Sequence, residues 1–205
     1  MSIPLEQLKN KLSSKRRSAA KLLRKELIDN AGKHLLEALE KEVLDKRTWE
    51  TQYHMIMALG YQNYIEALTF LKSITQSNLE PMVKVALGDT ITRFEISHTQ
   101  NSNPPTINFA IDNNILPLCE GGIRAIAMMD DIKISNDLID KIIYYSSIPE
   151  NKSIIFWTCV ACAKWKNNNA KDFLIKILSN NAVEKYTKEA AEAALQNKRL
   201  KWSIL

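Results

Sequence analysis

The chain has 205 residues, of which 45% are apolar, enough for one compact domain or a short repeat array that buries its own core. Its formal charge is +5, and it has 5 glycines, 6 prolines and 3 cysteines. The odd number of thiols gives no disulfide framework, and the scarcity of turn residues argues against a β-sandwich.

The opening "MSIPLEQLKNK" lacks the apolar core of a secretory signal, and residues 1–12 read as an N-terminal segment. From there, apolar residues recur with a helical period and nowhere alternate. In chain order the spacing predicts helices over 13–28 and 30–45, then 47–60 and 63–75. A helix over 79–95 is followed by a polar break at 97–106 and a helix near 106–114. Helices over 120–132 and 136–147, and over 152–165 and 170–180, come next. A last one covers 184–198, before a tail at 199–205 whose Trp202 and Leu205 are expected to dock on the last hairpin. The longest apolar stretch, "IIFWTCVACA" (154–163), is well short of the roughly 20 residues that span a bilayer. No membrane association is expected, and the unpaired thiols fit a reduced, cytoplasmic compartment.

The first helix of each pair places small residues in an apolar stripe. Taking Ala20, Ala58, Ala86, Ala127, Ala161 and Ala194, successive gaps are 38, 28, 41, 34 and 33 residues. A helix hairpin repeating at this period predicts stacking, because one hairpin cannot bury its apolar face alone. "LEKEVLD", "TWETQYHMIMALG" and "YIEALTFL", within 39–71, together with "AAEAAL" (190–195), resemble the HEAT-repeat family. Ala58-Leu59-Gly60 ends its helix as that family's first helices end. Gln52 departs from the pattern, standing where Arg is frequent, and so does the 97–106 break. The resemblance implies an all-α, right-handed α-α solenoid of about five to six HEAT-like helical hairpins, a single domain with its repeats over 13–198.

Catalytic motifs are weak. Glu50 and His54 fall one turn apart, outside the apolar arc of Trp49, Tyr53, Met55, Ile56, Met57 and Leu59. That spacing suits proton transfer or a solvated pair, and no second His completes a zincin site. Cys159 and Cys162 have redox spacing but lie inside an apolar helix, where packing is the expected role. Gly121-Gly122 reads as a helix start or a close packing contact. There is no P-loop, nucleophile elbow or dinucleotide fingerprint. The HEAT-like metal hydroxylases use His-Glu dipeptides, and none occurs. No catalytic residue, metal or cofactor is assigned.

The charge is local. Residues 1–33 hold nine basic side chains against three acidic ones, leaving the rest near neutrality. Lys15, Arg16, Arg17, Lys21, Arg24 and Lys25 fall on one predicted helix, with Ala19, Leu22, Leu23 and Leu27 toward the core. This stripe suits phosphates, an acidic protein or plain solvation of the terminal repeat. The second helices are expected to line a concave face and expose Glu37, Lys41, Glu66, Lys141 and Tyr145, with Tyr145 as an aromatic anchor.

The expected function is non-enzymatic protein binding, as an adaptor, a regulator or an inhibitor of immunity type. The net charge argues against a nuclease inhibitor, which would be acidic. The alternative is nucleic-acid binding through the basic helix, in the manner of the HEAT-like alkylpurine DNA glycosylases. Trp49, Asp89, Arg93, Arg124, Asp130, Asp131 and Trp157 are loose analogues of the residues those enzymes use. They do not match a family motif residue by residue, so no role transfers to them.

Overall fold

Asparagine ends helices in this chain where glycine usually would. Asn63, Asn114 and Asn197 adopt left-handed φ values of 51°, 52° and 54°. Behind each, two amides bond back to the preceding helix, as Tyr64 N to Leu59 O and Asn63 N to Gly60 O illustrate. This Schellman geometry needs a residue that tolerates positive φ, and Asn does so at less cost than other side chains. A chain with 5 glycines can therefore still make many sharp helix ends.

The computed structural model describes residues 3–99, 101–148 and 150–200. Among these it is all-α, with twelve α-helices and no strand. They are α1 (Ile3–Gln7), α2 (Ser13–Leu23), α3 (Ala31–Glu42), α4 (Trp49–Tyr61), α5 (Leu68–Ser73) and α6 (Pro81–Thr99). Then come α7 (Pro105–Asp112), α8 (Leu116–Met128), α9 (Asn136–Ser146), α10 (Lys152–Cys162), α11 (Asn168–Ser179) and α12 (Lys185–Leu195). Short 3₁₀ turns, Lys46–Thr48 and Ile65–Ala67, lead into α4 and α5. Start signals are local: Ser135 accepts from Leu138 N, Asn167 accepts from Ala170 N, and Pro105 opens α7.

The even-numbered helices form a continuous row, α2 on α4, α4 on α6, α6 on α8, α8 on α10 and α10 on α12. The odd-numbered helices pack onto this row, and among themselves only α9 and α11 pack closely. One apolar core runs through the structure, from Leu5 and Leu8 to Ala194. The tightest junction is α6–α8. A Cβ on Gly88 would overlap the Leu118 carbonyl oxygen, and one on Gly121 the Val85 carbonyl oxygen. Only glycine lets these backbones touch, so the close-contact reading of Gly121 holds.

Several expectations need correction. Residues 3–7 form a helix, and Leu5 and Leu8 are buried. The second helix ends at Leu23, well before 28, and both Leu22, inside it but off its buried stripe, and Leu27, beyond its end, are exposed instead of facing the core. The polar break is shorter than expected because α6 runs on to Thr99. Trp202 and Leu205 lie outside the described residues. None of the described helices is long and apolar enough to cross a membrane.

Candidate interaction surface

On α2, Ala19, Ala20 and Leu23 are buried against the core, which turns Arg17, Lys21 and Arg24 toward the exposed side of the even row. Arg17 makes an ion pair with Glu50 of α4. Arg24 Nη1 donates to His54 Nδ1 at 2.8 Å, and its guanidinium lies 5.6 Å from the centroid of the Tyr53 ring. Glu50 and His54 are thus each claimed by an arginine and do not work as a couple. Burial, followed by the charges of Arg24, Lys21 and Arg17, pushes His54 down to about 4. The imidazole is neutral at pH 7, accepts from Arg24, and adds no charge to the face. Lys15, Lys21 and Lys25 are exposed and make no ion pair among the described residues.

Leu22 and Tyr61 stand exposed near these cations, and the Tyr61 hydroxyl donates to Lys25 O at 3.0 Å. Trp49, expected in the packing arc, is 36% exposed at the start of α4. Arg16 departs from the stripe. Its Nε reaches Glu42 Oε2 at 2.5 Å, and its Nη1 donates to the Asn10 and Lys11 carbonyls. Burial opposes ionisation of Glu42, but hydrogen bonds from Arg16 and Ser13 outweigh it and hold the carboxyl below its usual value. Arg16 therefore joins the first turns of the fold rather than facing a ligand.

Further along the row Asp89 is buried on α6 between two guanidiniums. Arg93 Nε lies 2.6 Å from one oxygen and Arg124 Nε 2.9 Å from the other. Burial is again outweighed, here by Arg93 and Arg124, and Asp89 stays ionised. Arg124 Nη2 also lies 3.4 Å from Met57 Sδ. Three of the loose glycosylase analogues thus meet, but as a closed charge cluster. Of the others, Asp130 sits between Lys164 and Arg199, and Trp157 is buried.

The second-helix residues do not form one site. Glu37 and Lys41 line a cleft of about 600 Å³ with Arg16, His34 and Asp45, beside the α1–α2 turn. Glu66 is exposed on the turn before α5. Lys141 is held by Asp112 Oδ1 at 2.7 Å and Asn108 Oδ1 at 3.0 Å. Tyr145 is no exposed anchor: it is 5% exposed, and its hydroxyl donates to Asn114 Oδ1 at 2.7 Å. Its neighbour Tyr144 is the exposed ring.

Burial pushes the Cys119 and Cys159 thiols up to about 12 and Cys162 higher still, so all three are protonated at neutral pH. The Cys-x-x-Cys pair sits inside α10 as packing, without the electropositive setting that a reactive thiol needs. Among the described residues no group of His, Cys, Asp and Glu is arranged to hold a metal. The sequence did not point to the role of His54 in this surface, and the only trace of it was its place among the basic residues of 15–25 and the arc of α4. No family model, curated protein or solved structure matches the chain significantly.

Proposed function

We propose that the chain is a right-handed α-α solenoid of HEAT-like hairpins that acts as a protein-interaction module. It holds an acidic segment of a partner protein against the face shared by α2 and α4. The observation that supports this best is the grouping of Arg17, Lys21 and Arg24 on one side of α2, with Arg24 Nη1 reaching His54 Nδ1 of α4 at 2.8 Å. His54, pushed down to about 4 by burial and then by these charges, stays neutral, so the arginines and lysine alone set the positive charge of the face across the physiological range. Exposed Leu22 and Tyr61, together with Arg24 stacked on Tyr53, give the mixture of aliphatic, aromatic and Arg side chains found in protein interfaces. Along the chain the even-numbered helices pack on one another more closely than the odd-numbered ones do, which suits stacked hairpins. The three free buried thiols fit a cytoplasmic location.

Nucleic-acid binding is the second reading, favoured by the exposed Lys15, Lys21 and Lys25. It is weakened further along the row, where Asp89 takes up the charge of Arg93 and Arg124 instead of leaving it for phosphates. Anisotropy separates the two readings, using a labelled peptide of Glu, Leu and Tyr and a short DNA duplex at about 50 mM salt. The proposal expects the peptide to bind and the combined Lys21→Glu and Arg24→Glu changes to abolish that binding. Tighter binding of the duplex, falling steeply with salt, would overturn it in favour of the second reading.

A further inference from the structure

At the opposite end of the row a second cavity, of about 630 Å³, opens where α9, α10, α11 and the start of α12 meet. Its size is within the range of about 300–1,000 Å³ typical of small-molecule sites. Phe173 and Ile177, both largely buried, belong to its wall, and Ile148, Ile155 and Val183 are half-buried around them. Tyr186 stands at the edge, 43% exposed and edge-on to Phe156 at 5.5 Å.

The polar side of the cavity is cationic. Lys152 and Lys176 line it and make no ion pair among the described residues. The starts of α10 and α12 border it too, and neither Asn151 nor Glu184 caps its helix with a side chain. The uncapped start of α10 adds positive partial charge to that of the lysines, whereas at α12 the Glu184 carboxylate offsets it. Glu184 is the one carboxylate on the lining, and it is engaged with Tyr186, whose hydroxyl pKa it raises through a hydrogen bond.

We propose that this cavity binds a small apolar carboxylate, with the head group against Lys152 and Lys176 and the hydrocarbon on Phe173, Ile177, Ile155 and Val183. An alkyl chain gains from the apolar wall, and the carboxylate supplies the charge the lysines lack. This site is separate from the α2–α4 face and does not depend on the function proposed there.

Titration of the full chain with octanoate, followed by calorimetry, tests it, with octan-1-ol as the neutral counterpart. The expected result is one saturable site for octanoate, with the alcohol about tenfold weaker or more. Changing Lys152 and Lys176 together to Met should weaken octanoate by a similar factor while leaving the circular dichroism unchanged. Ile177→Glu should abolish binding, and Val183→Glu serves the same purpose at a less buried position should Ile177→Glu unfold. Absence of octanoate binding up to about 5 mM, equal binding of the alcohol, or indifference to the lysine changes would each overturn the assignment.

Discussion

Two side chains on the even row respond to acid in ways their surroundings dictate. Asp89 is held below its ordinary pKa by Arg93 and Arg124 against the opposing effect of burial. The stabilisation from this cluster is complete above the unfolded value, near 3.9, and is lost as pH falls through the folded pKa. Asp89→Ala strands Arg124, whose side chain is 6% exposed, and should cost about 3–5 kcal/mol in urea unfolding at pH 7. A cost below about 1 kcal/mol would mean that the arginines find water or other acceptors. His54 is also depressed, from 6.5 to about 4, but here the protonated form is the disfavoured one. Between these values the unfolded chain takes up a proton that the folded chain refuses, so acidification destabilises the fold. His54→Gln should remove that part of the acid sensitivity between pH 6.5 and 4. In an NMR titration the His54 midpoint should lie near 4 and rise in Lys21→Glu, and a midpoint unmoved by that change would deny the cationic field.

The helices themselves were legible where the apolar period was strong, and less so where burial came from distant contacts. The eleven helices read from the spacing all occur, with shifted ends. The helix α1 was illegible because it is only five residues long and Leu5 and Leu8 become core only once α2 covers them. Leu27 looks like core on a wheel drawn to residue 28, but the helix stops at Leu23, whereas Leu22 lies within the helix and off the stripe of Ala19, Ala20 and Leu23 that is buried. Tyr145 follows Leu138 and Ile142 on the buried stripe of α9, where Asn114 takes its hydroxyl, whereas Tyr144 falls off that stripe and is exposed. The basic stripe was legible as charge, whereas the diversion of Arg16 to Glu42 depends on a partner 26 positions away. At this scale the α6–α8 contact makes the sharpest prediction. Gly88→Ala or Gly121→Ala drives a methyl into backbone and should cost about 3 kcal/mol or more. Gly60→Ala meets only the Thr90 side chain, at 3.0 Å, and should cost clearly less. Leu8→Ala, at a site 2% exposed, should cost about 2–4 kcal/mol by melting temperature if α1 is integral to the core. A value near zero would make α1 an accessory.

Across the whole molecule, each even-numbered helix packs on its neighbours in the row, so stability accumulates from nearest-neighbour junctions. Amide exchange should therefore be slowest in α6 and α8, joined backbone to backbone, and faster in α2 and α12 at the ends. Uniform protection would point to a single cooperative unit instead. The two candidate sites lie on the two ends of this row, one cationic and open, one apolar with a cationic rim. A photo-crosslinking amino acid in place of Ser18, exposed on α2 between Arg17 and Lys21, tests the first site most directly and leaves its charges in place, with Lys171 on the exposed side of α11 as the control position. In native extract, position 18 should capture an acidic segment of a protein and position 171 should not. Capture of nucleic acid from position 18, or the same products from both positions, would contradict the proposed role of this face.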